Sequence, residues 1–306
     1  MKGNMIGNAL HIKTRSPGHR LRTGQSGIHA ALMLASITML LPFVFMVLSS
    51  FKTFGEAIAV PPVLFPNAMV QKVLSGEKEW TYLFNNYTFL FGKVDYFPAL
   101  FRNTMLLIAG RIFCAVTASS LAAYAFAKLK FPYKKQLFGL VLIQLMLPDQ
   151  VFLVPQFKMV VAMGWVNTIP GLIFPGLVSA FGTFFLRQYY MGLPDELSES
   201  AKIDGCGHGR IFLRILFPMT KTPVMALSIF TAIFAWSNLM WPLIVNSENR
   251  LGTLASVLAK IQMMSETFKP QHFMAASVIT MLPMIILYLI FQRQFVEGIA
   301  LTGLKA

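Results

Sequence analysis

Apolar blocks of about 20 residues, each long enough to cross the hydrocarbon core of a bilayer, recur along this chain between charged connections. The candidate spans are 28–50, 104–127, 137–157, 169–188, 224–245 and 273–291. Inside a bilayer every backbone polar group needs an internal partner, so this pattern predicts an all-α membrane protein with six transmembrane helices. Composition agrees: 56% of the 306 residues are hydrophobic and only 12% are charged. Pro148, Pro155, Pro175, Pro242 and Pro283 fall inside the blocks, where neighbouring helices can satisfy the freed carbonyls. Ala115, Ala118, Ser119, Ala122 and Ala123 form a run of small side chains suited to close helix packing, a reading preferred to a transport path.

Residues 1–27 are polar and basic, and read as a cytoplasmic tail. A signal peptide is the rival reading, but the apolar run from Ile28 to Ser50 exceeds a usual signal core, and the residues around Ser50 make a poor cleavage site. With the N-terminus inside, sixteen Lys and Arg fall on the cytoplasmic side and nine outside, five of the nine in one long loop. The positive-inside bias therefore places both termini inside. The net charge of +14 is dispersed among the spans and follows from topology, which argues against a nucleic-acid partner. Cys114 lies in an apolar block and Cys206 in a polar loop, so the two form no disulfide framework.

The longest polar interruption between late spans is Leu193 to Pro223. It reads as two short helices about a tight joint. Pro194, Asp195 and Glu196 suit a first turn, and Gly205 suits the left-handed residue that ends a helix. Beyond it, Arg210 with Arg214 and Ile211 with Ile215 make a basic row beside an apolar row. Pro218 limits the second helix.

This loop resembles the signature of the permease subunits of bacterial binding-protein-dependent ABC importers: Glu-Ala-Ala, three residues, Gly, nine residues, Ile, one residue, Leu-Pro. The matching positions are Glu199, Ser200, Ala201, Gly205, Ile215, Phe217 and Pro218, with Ser200 and Phe217 departing from the pattern. The similarity is greatest to the carbohydrate branch, of the maltose and glycerol-phosphate type. It extends through Phe51-Lys52-Thr53, Asn85-Asn86-Tyr87, Arg102-Asn103-Thr104, Leu121 to Ala127, Trp165 to Thr168, Phe185 to Gln188, Trp236 to Leu243, and Gln292 to Lys305. Residues between Pro66 and Asn85 look like an insertion.

The resemblance implies a type I importer permease of the bacterial inner membrane. Its six-helix domain would cover 28–293, with a cytoplasmic coupling loop at 189–223 and a cytoplasmic tail at 294–306 that enters the ATPase dimer interface in the maltose-type relatives. It also implies the partners: a homologous second permease, two ATP-binding subunits, an extracytoplasmic solute-binding protein and the surrounding lipid bilayer. Glu199, Ser200, Ala201, Asp204, Gly205, Ile215 and Pro218 would carry the coupling to the ATPase. Tyr124, Trp236, Asn238 and Trp241 are pathway candidates, since aromatics stack on sugar faces; packing is an equal reading of them.

The chain has no Gly-rich phosphate loop ending in Lys-Ser/Thr, so ATP and Mg are expected on partner subunits and no cofactor on this chain. The five histidines are scattered, no catalytic constellation is gathered at one depth, and no metal site is expected. A polytopic membrane enzyme and an ion-driven secondary transporter are the alternatives.

Two charges fall inside apolar spans, Arg111 and Asp149. At the helical rise, Arg111 lies about 12 Å below the outer face and Asp149 about 20 Å above the inner face. In a core of about 30 Å these depths agree, so the two side chains could pair or jointly line a wet outer cavity. The competing reading has Arg111 snorkelling outward and Asp149 at a kink made by Pro148.

Overall fold

The computed structural model describes residues 20–94, 96–263 and 266–303. Most of the basic tail (residues 1–19) and the last three residues of the C-terminal tail lie outside the described residues. All regular structure among the described residues is helical.

The chain begins with α1 (Arg20–Ser49), followed by three short helices: α2 (Phe54–Ala57), α3 (Asn67–Leu74) and α4 (Asn85–Lys93). Next come α5 (Phe97–Lys128), α6 (Lys134–Met146), α7 (Leu153–Ala162), α8 (Ile169–Ile173) and α9 (Ala180–Met191). The polar loop holds α10 (Glu196–Ile203), α11 (His208–Ile211) and α12 (Phe217–Met219). The chain closes with α13 (Lys221–Ser237), α14 (Met240–Val245), α15 (Leu254–Met263) and α16 (Pro270–Gly303). α1, α5 and α16 are each long and apolar enough to cross a membrane unbroken, and three bent helix pairs bring the number of spans to as many as six.

The bends correct three expected spans. Residues 137–157 do not form one helix: α6 stops at Met146, and the next helical stretch departs at 104°. Leu147, which precedes Pro148, is extended (φ −89°, ψ 134°), because a proline ring excludes the α conformation from the residue before it. The fourth span bends by 48° between α8 and α9, around Phe174-Pro175-Gly176. The fifth begins at Lys221 and ends at Ser237, so 238–245 is a separate turn and short helix rather than its continuation. Proline within an apolar block is tolerated in lipid, and composition alone does not reveal which prolines break the helix.

α5 is the central post. It packs on α8, α9 and α13, and its small-residue stripe faces α9: Ala115, Ser119 and Ala123 are buried at successive turns. Ser119 Oγ donates to the Ser179 carbonyl at 3.2 Å, and a Cβ on Gly182 would stand 2.5 Å from Ser119 Oγ. The two backbones approach closely only because neither carries bulk there. α1 leans on α16, with residues 28–44 exposed along it.

At the end of the bundle away from the polar loop, the remaining family-like motifs act as ties. Asn103 Nδ2 donates to the carbonyls of Arg250 and Gly252, and the Thr104 hydroxyl accepts from the Leu254 N–H. Asn86 Nδ2 donates to the carbonyls of Ser50 and Lys52. Lys52 is buried there, its ammonium donating to Ser49 Oγ at 2.8 Å and lying 4.3 Å from the Phe45 ring centre. Burial pushes its pKa down, and Glu56 opposes that shift. The stretch between Pro66 and Asn85 folds as α3 and a 3₁₀ turn. α3 is anchored by buried Met69 and Val73 and by a bond from the Ala68 N–H to Glu56 Oε1.

Candidate functional site

The polar loop folds as the two expected helices about a joint. α10 ends in a Schellman motif: the Cys206 N–H reaches the Ala201 carbonyl at 2.9 Å, and the Gly205 N–H reaches Lys202 at 3.0 Å. Gly205 sits at φ +78°, the left-handed conformation its place in the sequence predicts. Beyond it, α11 widens into a π turn over Phe212–Leu216 and returns to α in α12. Pro218 lies inside this run rather than ending it, and the π turn just before it accommodates a residue with no N–H. The chain then turns at Thr220 by 78° into α13.

The candidate coupling residues divide by exposure. Glu199, Ser200, Asp204, Gly205 and Pro218 are on the surface, as are Arg210 and Arg214. Ala201 is buried and Ile215 half-buried, both in a core with Ala123, Tyr124, Leu186, Tyr190, Ile211, Phe212, Leu216 and Leu227. These two hold the loop onto the chain's own spans. Ile203, which periodicity did not single out, is 87% exposed at the end of α10, and Leu213 is exposed on the following π turn. An apolar side chain left uncovered on a folded polar loop is the signal that would have found them.

Polar contacts fasten the loop to the end of α5. Lys128 Nζ donates to the Leu193 carbonyl at 2.6 Å and pairs with Asp195 Oδ1 at 2.5 Å. Asp195 was expected in the first helical turn; it is the residue before α10, and its carboxylate binds Lys128 rather than capping the helix. Lys128 holds the Asp195 carboxyl below the ordinary carboxylate pKa. The pair's contribution is therefore complete above the ordinary carboxylate range and is lost only as pH falls through the lower value. Arg187 Nε donates to the Phe126 carbonyl, and the Tyr124 hydroxyl reaches His208 at 3.4–3.5 Å.

The pathway candidates do not come together. Tyr124 is buried beneath the polar loop against Tyr190 and Phe212. Trp241 is 2% exposed in a separate core, its indole N–H donating to the Gly171 carbonyl at 2.9 Å. Asn238 accepts from the Trp241 N–H through its side-chain oxygen and starts α14. Tyr124 and Trp241 pack in separate cores and Asn238 bonds within its own turn, the packing reading that the sequence left open for them. Trp236 is half-buried between two further clusters. An open apolar groove of about 530 Å³ lies along α5, lined by Ile112, Phe113, Val116, Thr117, Phe217 and Ser228 among others; none of the four candidates lines it.

The Arg111–Asp149 pair is not formed. Arg111 is buried and donates from Nη2 to the Leu172 carbonyl at 3.1 Å. In an α-helix the donor to the Leu172 carbonyl would be Gly176, which lies in the 3₁₀ turn Phe174–Gly176, and the guanidinium supplies a donor there; the carbonyl four residues before Pro175, that of Gly171, accepts from Trp241 Nε1. Asp149 is exposed at the start of the 3₁₀ turn after Pro148, where a carboxylate suits the positive end of a helix.

Bent spans around a central post, with a folded amphipathic loop fastened to one end, make a polytopic helical fold. A model of the inner membrane component of binding-protein-dependent transport systems matches residues 115–300, and the chain belongs to that family. It is 33% identical over 273 residues to AraQ of Bacillus subtilis, an arabinooligosaccharides transport system permease protein, covering 89% of this chain and 93% of that one. It is 36% identical over 185 residues to UgpE of Yersinia pestis, an sn-glycerol-3-phosphate transport system permease protein, covering 60% and 66%. Its fold matches a chain from a bacterial ABC transporter involved in import of the acidic polysaccharide alginate, with a TM-score of 0.69 over 92% of this chain and all of that one, at 16% identity. The protein is thus an inner-membrane ABC importer permease that works with other importer components.

Proposed function

We propose that the chain carries a carbohydrate or related polyol across the membrane, its access alternating as partner ATPases bind and hydrolyse ATP. The observation that carries this reading is similarity to a sugar permease through nine-tenths of the chain, with the signature loop folded and exposed where a partner can reach it. The bias of basic residues puts that loop and both termini in the cytoplasm, beside ATP. Two ATP-binding subunits would hold the nucleotide and Mg, since this chain has no phosphate-loop motif.

A homologous second permease would complete the pathway, and an extracytoplasmic binding protein would deliver the solute. Glu199, Ser200, Asp204, Gly205 and exposed Ile203 would meet the ATPase, with Ala201 and Ile215 setting the loop's position from behind. The C-terminal end of α16 and the residues beyond it would reach the ATPase pair. The names of AraQ and UgpE support a sugar or polyol phosphate as solute.

Purification of the tagged chain from its own membranes tests this. Co-purification of a second permease and an ATPase pair, with hydrolysis stimulated by a solute-loaded binding protein, is the expected result. Solute transport by the chain alone would refute it.

A further inference from the structure

The far ends of α5 are fastened to different parts of the molecule. Asn103 and Thr104 tie its start to the 250–254 connection, and Lys128 ties its last turn to the entry of the polar loop. A helix of 32 residues spans about 48 Å, so one rigid element runs from that loop to the opposite rim. Along the way it packs on α8, α9 and α13.

Lys128 is not an ordinary surface charge. Its side chain is only 7% exposed, and its ammonium draws together two backbone segments 65 residues apart. The carbonyl bond to Leu193 and the carboxylate bond to Asp195 flank Pro194, at the point where the chain leaves α9 for α10.

We propose that Lys128 is a positioning residue for transport: it clamps the polar loop to α5, so that a displacement of the loop is delivered to the bundle's central post. This rests on the proposed docking of the loop against an ATPase. Without the clamp, the apolar core under Ala201 and Ile211 still holds the loop in place, but its motion is taken up at the Leu193-Pro194 entry. The ATPase then turns over without moving α5 to the same extent.

The test uses the complete transporter with its ATPases and binding protein in liposomes, and reads solute imported per ATP hydrolysed together with subunit recovery. Lys128→Met is expected to assemble and hydrolyse ATP while the ratio falls about tenfold, the scale of a hydrogen bond to a charged group. Lys128→Arg, which can donate to both acceptors, restores most of the ratio. Asp195→Ala lowers it less, because the Leu193 contact persists.

A wild-type ratio for Lys128→Met, or equal loss in the Met and Arg variants, overturns the proposal. Should Lys128→Met fail to assemble, exposed Asp195→Ala decides, and a wild-type ratio there overturns it. The docking reading is checked separately by Ile203→Cys, with Cys114 and Cys206 replaced by Ala, cross-linked to the ATPase. No cross-link sinks docking itself; a cross-link with an unchanged Lys128→Met ratio sinks the clamp alone.

Discussion

Replacing Gly205 isolates the backbone conformation of the joint from its packing. A Cβ built at Gly205 meets nothing within 4 Å, so no side-chain clash contributes. What remains is φ +78°, which costs an L-residue about 1–2 kcal/mol and a β-branched one the upper part of that range. If the residue instead leaves this conformation, the Schellman bonds from the Gly205 and Cys206 N–H groups are lost, at about 1 kcal/mol each.

Either route shifts the loop's equilibrium by about 2 kcal/mol, a factor of roughly 30. That is small beside the burial of the spans, so membrane insertion survives. The expected order of transport per ATP is Gly, then Asn, then Ala, then Val, because Asn tolerates the left-handed region. Reconstituted vesicles assayed for uptake and hydrolysis together give the order. Gly205→Val equal to Gly205→Asn, or a full effect in Gly205→Asn with none in Val, would show that the left-handed backbone at Gly205 does not govern the joint.

Two further substitutions test the bundle. Gly182→Val drives a side chain to 2.5 Å from Ser119 Oγ and 3.1 Å from Leu227, and overpacking of this kind costs about 1–3 kcal/mol. Recovery of folded protein should fall, and Ser119→Gly should restore part of it; no loss would mean that α5 and α9 are not closely packed. Arg111→Leu should lower recovery of the assembled complex, and adding Asp149→Leu should not rescue it, because Arg111 serves the Leu172 carbonyl. Rescue by the double change would show that the two charges pair.

Much of the architecture was legible because lipid leaves few choices: block length set the spans, and Gly205 set the joint. The expected joint and the observed one share their glycine, their second-helix rows and their polar face. The bends were less legible. Pro148 and Pro175 fall at or beside breaks in their spans, whereas α16 continues through Pro283, and composition alone does not separate the two outcomes. Arg111 shows the same limit: its partner is a backbone carbonyl bared by a break in another span, which no side-chain pattern encodes.

The aromatics leave a related choice open in the sequence. A tryptophan suited to stack on a sugar is equally suited to fill a core, and Trp241 does so with its N–H committed to Gly171. Asn103, Asn86 and Lys52, by contrast, came to notice as family-like motif residues. Their work as ties to distant carbonyls and as a buried cation emerged only with the loops in place.

On the proposed function, this chain moves a carbohydrate at the expense of ATP hydrolysed by its partners. Uptake of labelled carbohydrate into vesicles holding the complete complex measures it directly, with ATP sealed inside, binding protein outside and no ion gradient. Accumulation is expected to require lumenal ATP and the binding protein, and to stop when the ATPase is inactivated. Accumulation without ATP, driven by a proton or sodium gradient, would contradict it.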